Sequence, residues 1–275
     1  MSAISLKPAR DQRVTVPALL RRKRGARPIS MLTAYDFTFA RIFDAAGIDV
    51  LLVGDSLGNV VQGMDTTLPV TLDEVVYHTR MVARAARRAL VVADLPFGSY
   101  QICEEDAVRS AVRCVKDGGA QAVKLEGGTA VSSAIARIVR AEIPVLGHVG
   151  LTPQAIHRMG GHRVQGRSEE SARRVLEDAR AVEAAGAFAV VLEGIPAQLA
   201  QSVTDALEIP TVGIGAGPGC DGQVLVMHDM LGFSDWTPSF VKQYASLGAL
   251  AAQAARCFAD DVANGKFPGE EHAYS

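Results

Sequence analysis

Cysteine is scarce and unpaired in this chain of 275 residues. The four cysteines are Cys103, Cys114, Cys220 and Cys257, and no two of them form a C-x-x-C pair. A disulfide framework or a zinc ribbon is therefore not expected. Free thiols in this number are typical of a reducing compartment.

Long apolar runs and a dominant charge are also lacking. No uninterrupted apolar stretch of the sequence reaches the length of about 20 residues that a membrane-spanning helix needs. The N-terminal residues Met1 to Lys7 lack the apolar segment of a signal peptide. A formal net charge of −2 provides no general attraction to nucleic acid. We expect a soluble, cytoplasmic protein with neither a nucleic-acid nor a membrane partner.

One short segment, Arg21 to Arg24, is strongly basic. It can be read as an arm that binds nucleic acid. The favoured alternative is a short helix that begins at Pro17 and carries these cations in its last turn, where the helix dipole stabilises them. We assign residues 1–28 to an N-terminal arm with this helix.

Strand and helix patterns alternate from residue 29 onward. Eight short apolar segments are typical of buried strands, and amphipathic helical segments separate them. Such alternation predicts a parallel sheet covered by helices. The length is near that of one eight-stranded barrel. We predict the α/β class with a (β/α)8 TIM barrel over residues 29–264, and a disordered tail over residues 265–275.

Three similar segments favour a closed barrel over an open doubly wound sheet. Residues 46–54, 119–127 and 186–194 each start with a glycine or Ala-Gly pair, continue as a strand and end near an acid. This is one αβ unit repeated. An open sheet usually carries a glycine-rich turn after its first strand, whereas Ala34-Tyr35-Asp36 follows the first strand here.

Acidic residues follow or end four of the predicted strands. They are Asp55, Asp94, Glu126 and Glu193. The C-terminal ends of barrel strands meet at one mouth, so these carboxylates should lie close together. Such a cluster can hold a hard metal ion and move a proton.

Lys124 and Glu126 are two residues apart in the fourth strand region, so they face the same side. A buried ion pair that closes the barrel is one interpretation. A functional site is favoured, because burial of two charges is costly without a use. Asp55, Asp94 and Glu126 supply oxygen ligands suited to Mg2+, although not all three need to contact the ion directly.

Glu193 and His148 lie on neighbouring predicted strands. Glu193 stands across the mouth from the second strand and suits a general base. Its alternative role is to cap the helix near Ala197. His148 can be a proton carrier or a structural hydrogen-bond donor, and both interpretations stay open. The polar segment 160–167 is expected to form a mobile loop over the mouth.

A set of motifs in register identifies a known family. The sequence from about residue 15 to 245 resembles ketopantoate hydroxymethyltransferases. The motifs are Thr33-Ala-Tyr-Asp36, Gly54-Asp-Ser-Leu-Gly58, Thr67-Leu-Pro-Val-Thr71, Ala93-Asp-Leu-Pro96, Val123-Lys-Leu-Glu-Gly-Gly128, Gly150-Leu-Thr-Pro-Gln154, Val164-Gln-Gly-Arg167, Gly213-Ile-Gly-Ala-Gly217 and Val226-Met-His-Asp229.

This resemblance implies a (β/α)8 barrel that assembles as a homodecamer. It implies transfer of a hydroxymethyl group from 5,10-methylenetetrahydrofolate to 3-methyl-2-oxobutanoate, with Mg2+ as cofactor, in the first committed step of pantothenate biosynthesis. The metal site would be Asp55, Asp94 and Glu126. The substrate contacts would be Asp55, Ser56, Asp94 and Lys124. The general base would be Glu193, and His148 would support the metal side.

Two rival functions remain. The first is a magnesium-dependent lyase or mutase of the phosphoenolpyruvate mutase and isocitrate lyase type. Such enzymes typically use a cysteine in a K-x-C-G-like loop, and none of the four cysteines lies in such a loop. The second is a non-catalytic binding barrel, which would not need Lys124, Glu126 and Glu193.

Overall fold

The computed structural model describes residues 12–161, 163–234 and 236–274. The chain divides into two compact units, Met1–Val226 and Met227–Ser275. Residues 1–11 of the predicted N-terminal arm, His162 of the predicted loop and Ser275 of the predicted tail lie outside the described residues. The bounds chosen for the barrel domain and the disorder of the tail stay predictions.

The first unit contains a closed barrel of parallel strands. The strands pair in chain order, and the last pairs with the first. This confirms the predicted (β/α)8 fold. The strands within the described residues are β1 Ile29–Thr33, β2 Val50–Val53, β3 Leu90–Asp94, β4 Ala122–Lys124, β5 Val145–Gly150, β6 Ala189–Glu193, β7 Thr211–Ile214 and β8 Gly222–Leu225.

Helices follow most of the strands. In the first unit they are α1 Val16–Leu20, α2 Phe37–Ala46, α3 Leu57–Val60, α4 Leu72–Ala85, α5 Glu104–Lys116, α6 Ser132–Arg140, α7 Ile156–Met159, α8 Glu169–Ala184 and α9 Ala197–Ala206. In the second unit they are α10 Met227–Leu231 and α11 Leu247–Ala263. None of the described helices is long and apolar enough to cross a membrane.

Local capping sets where the helices begin. Thr71 caps α4, and its hydroxyl and the Glu74 side chain bond reciprocally to the backbone N–H groups of residues 74 and 71. In the second unit, α11 begins at Leu247. The Val241 N–H donates to the Pro238 carbonyl at 2.9 Å, so the chain there forms a turn before the helix starts.

Aliphatic side chains fill the interior of the barrel, and polar groups lie at its C-terminal mouth. Residues such as Val50, Leu52, Val92, Leu146 and Val191 form one buried cluster. Apolar burial is the main driving force for folding, so these positions hold the strands together. The charged side chains are therefore placed at the two ends of the barrel.

Asp49 organises the N-terminal end of the barrel. Its carboxylate accepts contacts from Arg22 at 2.7 Å and from Arg88 at 2.6 Å. Lys23 pairs with Asp221 at 3.0 Å in the same region. The prediction that the basic segment fills the last turn of α1 is wrong, because α1 ends at Leu20. These cations follow the helix and tie it to acids of the barrel.

We expect Asp49→Asn to reduce the free energy of unfolding by about 2 kcal/mol at pH 7. Burial opposes ionisation of Asp49, but Arg22, Arg88 and the Ser30 N–H hold its pKa at about 2. A lowered pKa stabilises the fold above the unfolded-state value of about 4, and this contribution disappears as the pH falls through 2. Urea unfolding between pH 7 and pH 2 measures the difference.

The matched control is Asp73→Asn, which removes an exposed ion pair with Arg113. It should change the free energy of unfolding by less than about 1 kcal/mol. If the Asp49→Asn variant were as stable as the control at pH 7, the stabilising role assigned to the Asp49 carboxylate would be contradicted.

Candidate active site

Three carboxylates meet at the C-terminal mouth of the barrel. Asp55 follows β2, Asp94 ends β3 and Glu126 lies two residues beyond the end of β4. Each offers an oxygen atom, and these oxygens lie within 4.8 Å of one another. All three residues are buried. The parallel arrangement of neighbouring strands is what brings them together.

Lys124 is the cation within this acid cluster. Its Nζ donates to both oxygens of Asp94, each at 2.7 Å. The same nitrogen lies 3.5 Å from Glu126 Oε1, so the two residues do face the same side. Burial disfavours the charged ammonium, but the neighbouring charges of Asp94, Glu126 and Asp55 outweigh it and raise the pKa of Lys124. The lysine therefore remains a cation at neutral pH.

The negative charge of the cluster is not fully balanced. Burial opposes ionisation of Glu126, but the charges of Lys124 and His148 hold its pKa at about 2. Burial and the charges of Asp94 and Glu126 raise the pKa of Asp55 well above its usual value. A divalent cation among these oxygens would supply the missing positive charge. The donor set of carboxylate oxygens fits a hard ion such as Mg2+.

Gln154 links the acids, and sequence reasoning missed its role. Its Nε2 donates to Asp55 Oδ2 at 2.9 Å and to the Leu95 carbonyl at 3.0 Å. Its backbone N–H donates to Glu126 Oε2 at 3.0 Å, and its Oε1 accepts the Tyr100 hydroxyl at 2.7 Å. The motif ending in Gln154 was the available signal, but the contacts arise only when the segment after β5 folds back over the mouth.

His148 lies between the acid cluster and Glu193. Its Nδ1 is 3.4 Å from Glu126 Oε1, and its Nε2 is 3.2 Å from Glu193 Oε2. Burial disfavours the imidazolium, but the charge of Glu126 and the contact with Glu193 help to raise its pKa to about 9. An imidazolium carries a proton on each nitrogen, so the two contacts are ion pairs, although neither meets the geometry of a hydrogen bond. His148 thus connects Glu126, a predicted metal ligand, with Glu193, the predicted base.

Glu193 is the accessible acid of the mouth. Its side chain is 19% exposed, whereas that of Glu126 is 3% exposed. The alternative role as a helix cap is wrong, because α9 begins after Pro196 without a side-chain capping bond. Glu193 ends β6 opposite Gly150 of β5. It can therefore reach a molecule that enters the mouth.

Ser56 lies in the turn between β2 and α3. Its hydroxyl is 2.9 Å from the Tyr35 hydroxyl. In the same turn, the Asp55 N–H donates to Asp94 Oδ2 at 3.3 Å. The turn therefore places one hydroxyl and one carboxylate side by side at the edge of the cluster.

The segment 160–167 is attached next to Glu193. The Gln165 N–H donates to the Gly194 carbonyl at 2.8 Å. Gly166 has φ +77, and a Cβ there would lie 2.3 Å from Leu199 Cδ2. The positive φ favours glycine at this position. The segment thus borders the mouth through a fixed contact, and its predicted mobility stays a prediction.

Solved structures with the same fold include two enzymes of small acids. Phosphonopyruvate hydrolase in complex with oxalate and Mg2+ superposes with a TM-score of 0.61 at 14% identity, covering 94% of this chain and 92% of that one. For 2,3-dimethylmalate lyase the TM-score is 0.58 at 19% identity, with coverage of 94% and 91%. At these identities the likeness shows the fold alone.

Sequence comparisons identify the family. A family model described as ketopantoate hydroxymethyltransferase matches residues 13–270. The 3-methyl-2-oxobutanoate hydroxymethyltransferase of Pelobacter propionicus is 55% identical over 265 residues, covering 96% of this chain and 98% of the relative. That of Desulforapulum autotrophicum is 57% identical over 263 residues, covering 95% and 98%. The chain therefore belongs to the ketopantoate hydroxymethyltransferase family.

Proposed function

We propose that this enzyme transfers a hydroxymethyl group from 5,10-methylenetetrahydrofolate to 3-methyl-2-oxobutanoate. The product is 2-dehydropantoate, and the reaction is the first committed step of pantothenate biosynthesis. The observation that carries the proposal is the buried acid cluster joined through His148 to the accessible Glu193. The names of relatives at 55% and 57% identity support the choice of substrate.

Asp55, Asp94 and Glu126 are the proposed ligands of Mg2+, directly or through water. Three converging buried carboxylates support this assignment, as does the oxalate and Mg2+ complex of a protein with the same fold. When bound, the ion supplies Lewis-acid stabilisation of negative charge on the oxygen of the 2-oxo group. A substrate with a carboxylate beside a ketone offers two oxygens to such a site.

Lys124 and Ser56 are the proposed orienting contacts of the oxo acid. The ammonium of Lys124 lies among the acids and can donate to a substrate oxygen while it holds Asp94. The Ser56 hydroxyl stands at the edge of the same cluster. Fixed donors of this kind keep the reacting carbon in one position relative to the base.

Glu193 is the proposed general base that removes the C3 proton. The resulting enolate forms a C–C bond to the one-carbon unit of the folate, and both C–N bonds that hold this unit to the two folate nitrogens break. Water supplies the hydroxyl group of the product. One proton from water and the proton taken from C3 complete the two amines of tetrahydrofolate. His148 holds the Glu193 carboxylate through its Nε2 contact.

Only the shared fold supports the alternative function as a lyase or mutase. The solved structures of that type share 14% to 19% of residues with this chain, whereas the hydroxymethyltransferases share more than half. A non-catalytic barrel would have no need of the link from Glu126 through His148 to Glu193.

The proposed assembly is a cytoplasmic homodecamer, which the family resemblance supports. Light scattering after size-exclusion chromatography should give ten times the chain mass of 29.0 kDa. A mass equal to one or two chains would contradict the decamer and would leave the chemistry of the mouth as proposed.

Glu193→Gln should abolish exchange of the C3 proton of 3-methyl-2-oxobutanoate with deuterated water in the absence of folate. Loss of a general base typically costs about 10²- to 10⁴-fold in rate. Proton NMR measures the exchange, and substrate binding should be largely retained. Glu169→Gln, an exposed change at the start of α8, serves as the control. Exchange at the wild-type rate in Glu193→Gln would remove it from this role.

Gln154→Ala should weaken Mg2+ binding by about tenfold or more. The variant loses the donor to Asp55 and the acceptor for Tyr100, so the acids are less well oriented. Isothermal titration with Mg2+ in the presence of the oxo acid measures the affinity. Gln101→Ala is the control, because it removes the amide contact to Gln154 and the acceptor of the Gly98 and Tyr100 N–H groups but no contact to the acids. Equal affinities in the two variants would show that Gln154 does not orient the site.

A further inference from the structure

A cavity of about 550 Å³ adjoins the mouth on the side of β4, β5 and α8. Its lining includes Gly127 and Gly128, which follow Glu126, and Val149 and Gly150, which follow His148. Its volume falls within the range of about 300–1,000 Å³ that is typical of small-molecule sites.

The cavity lies beside the proposed proton-transfer groups. Gly150 pairs with Glu193 in the register of β5 and β6. Gln165, another lining residue, is bonded through its N–H to the carbonyl of Gly194. The cavity therefore borders the strand end that carries Glu193, across the barrel from β2 and Asp55.

The floor of the cavity is held by a specific contact. Asp178 Oδ1 accepts the Thr129 N–H at 2.8 Å and the Thr129 hydroxyl at 3.0 Å. A Cβ at Gly128 would lie 2.1 Å from Asp178, so glycine is required for this approach. The loop after β4 is thus fixed against α8.

We propose that this cavity binds the folate co-substrate, with its glutamate tail at the outer rim. The inference rests on the proposed function. In 5,10-methylenetetrahydrofolate the one-carbon unit joins the pterin ring to the aminobenzoyl group. That unit has to reach C3 of the oxo acid beside Glu193, so the pterin end occupies the inner part and the tail points outward.

The rim carries the cations that such a tail requires. Arg158 of α7 and Arg174 of α8 line the cavity, and both are exposed. The tail carries two carboxylates, which guanidinium groups bind well. Arg174 pairs with Glu170 at 3.4 Å, and the two side chains are 63% and 67% exposed. An exposed pair of this kind is weak, so Arg174 can exchange Glu170 for a ligand carboxylate.

A second cavity of about 470 Å³ is a poorer candidate for the folate. It is lined by the segment after β3, including Phe97, and by Arg109 and Arg113 of α5. The barrel order places β3 three strands from β6. A folate bound there would hold its one-carbon unit on the wrong side of the mouth for the Glu193 carboxylate.

The test compares two donors in the variants Arg158→Ala, Arg174→Ala and the double variant. One donor is 5,10-methylenetetrahydrofolate, and the other is 5,10-methylenetetrahydropteroate, which lacks the glutamate tail. For the folate, KM should rise about three- to fivefold in each single variant and about tenfold or more in the double variant. For the pteroate, KM in the variants should match that of the wild-type enzyme.

Arg173→Ala is the matched control. Arg173 precedes Arg174 on α8, is 70% exposed and pairs with Glu177, yet it does not line the cavity. Arg109→Ala probes the second cavity in the same way. Neither change should alter KM for the folate.

Unchanged folate KM in the double variant, or a rise caused by Arg109→Ala, would overturn the inference and leave the proposed reaction intact. Folate-free exchange of the C3 proton reports separately whether the fold and the Glu193 side of the mouth are intact in each variant. If the unchanged enzyme exchanges the C3 proton but uses neither donor, the proposed co-substrate fails and the inference fails with it.

Discussion

The buried ammonium of Lys124 is the contact on which the barrel mouth depends. It lies 2.7 Å from both oxygens of Asp94 and 3.5 Å from Glu126. Without a cation, three carboxylates within 4.8 Å of one another would repel strongly in a poorly solvated site. One lysine offsets part of this repulsion and leaves a net negative charge. The site is thereby stable enough to fold and still suited to a divalent ion.

Acidic and basic side chains also alternate from the acid cluster to Glu193. Glu126 faces Lys124 on one side and His148 on the other, and His148 in turn faces Glu193. The contacts along this series therefore join acidic and basic side chains in alternation. These contacts are possible because β4, β5 and β6 are neighbours in the barrel.

The two ends of the barrel use buried charge for different purposes. At the N-terminal end, Asp49 is matched by Arg22 and Arg88, and its pKa falls to about 2. At the mouth, the acids outnumber the nearby cations, and the pKa of Asp55 is raised. An acid with enough cations around it suits a structural junction, whereas an excess of acids marks a place where a cation can add stability.

The sequence by itself determined the barrel and the acids at its mouth, because strand periodicity, glycine positions and strand-end acids are local signals. It also placed Lys124 and Glu126 on one side, which follows from the two-residue repeat of a strand. Gln154 and the bridging position of His148 required the tertiary structure. Their contacts join segments far apart in the chain, and no local pattern records which segments meet. The cavity beside α8 has the same origin, since packing of the loops after β4 and β5 against that helix creates it.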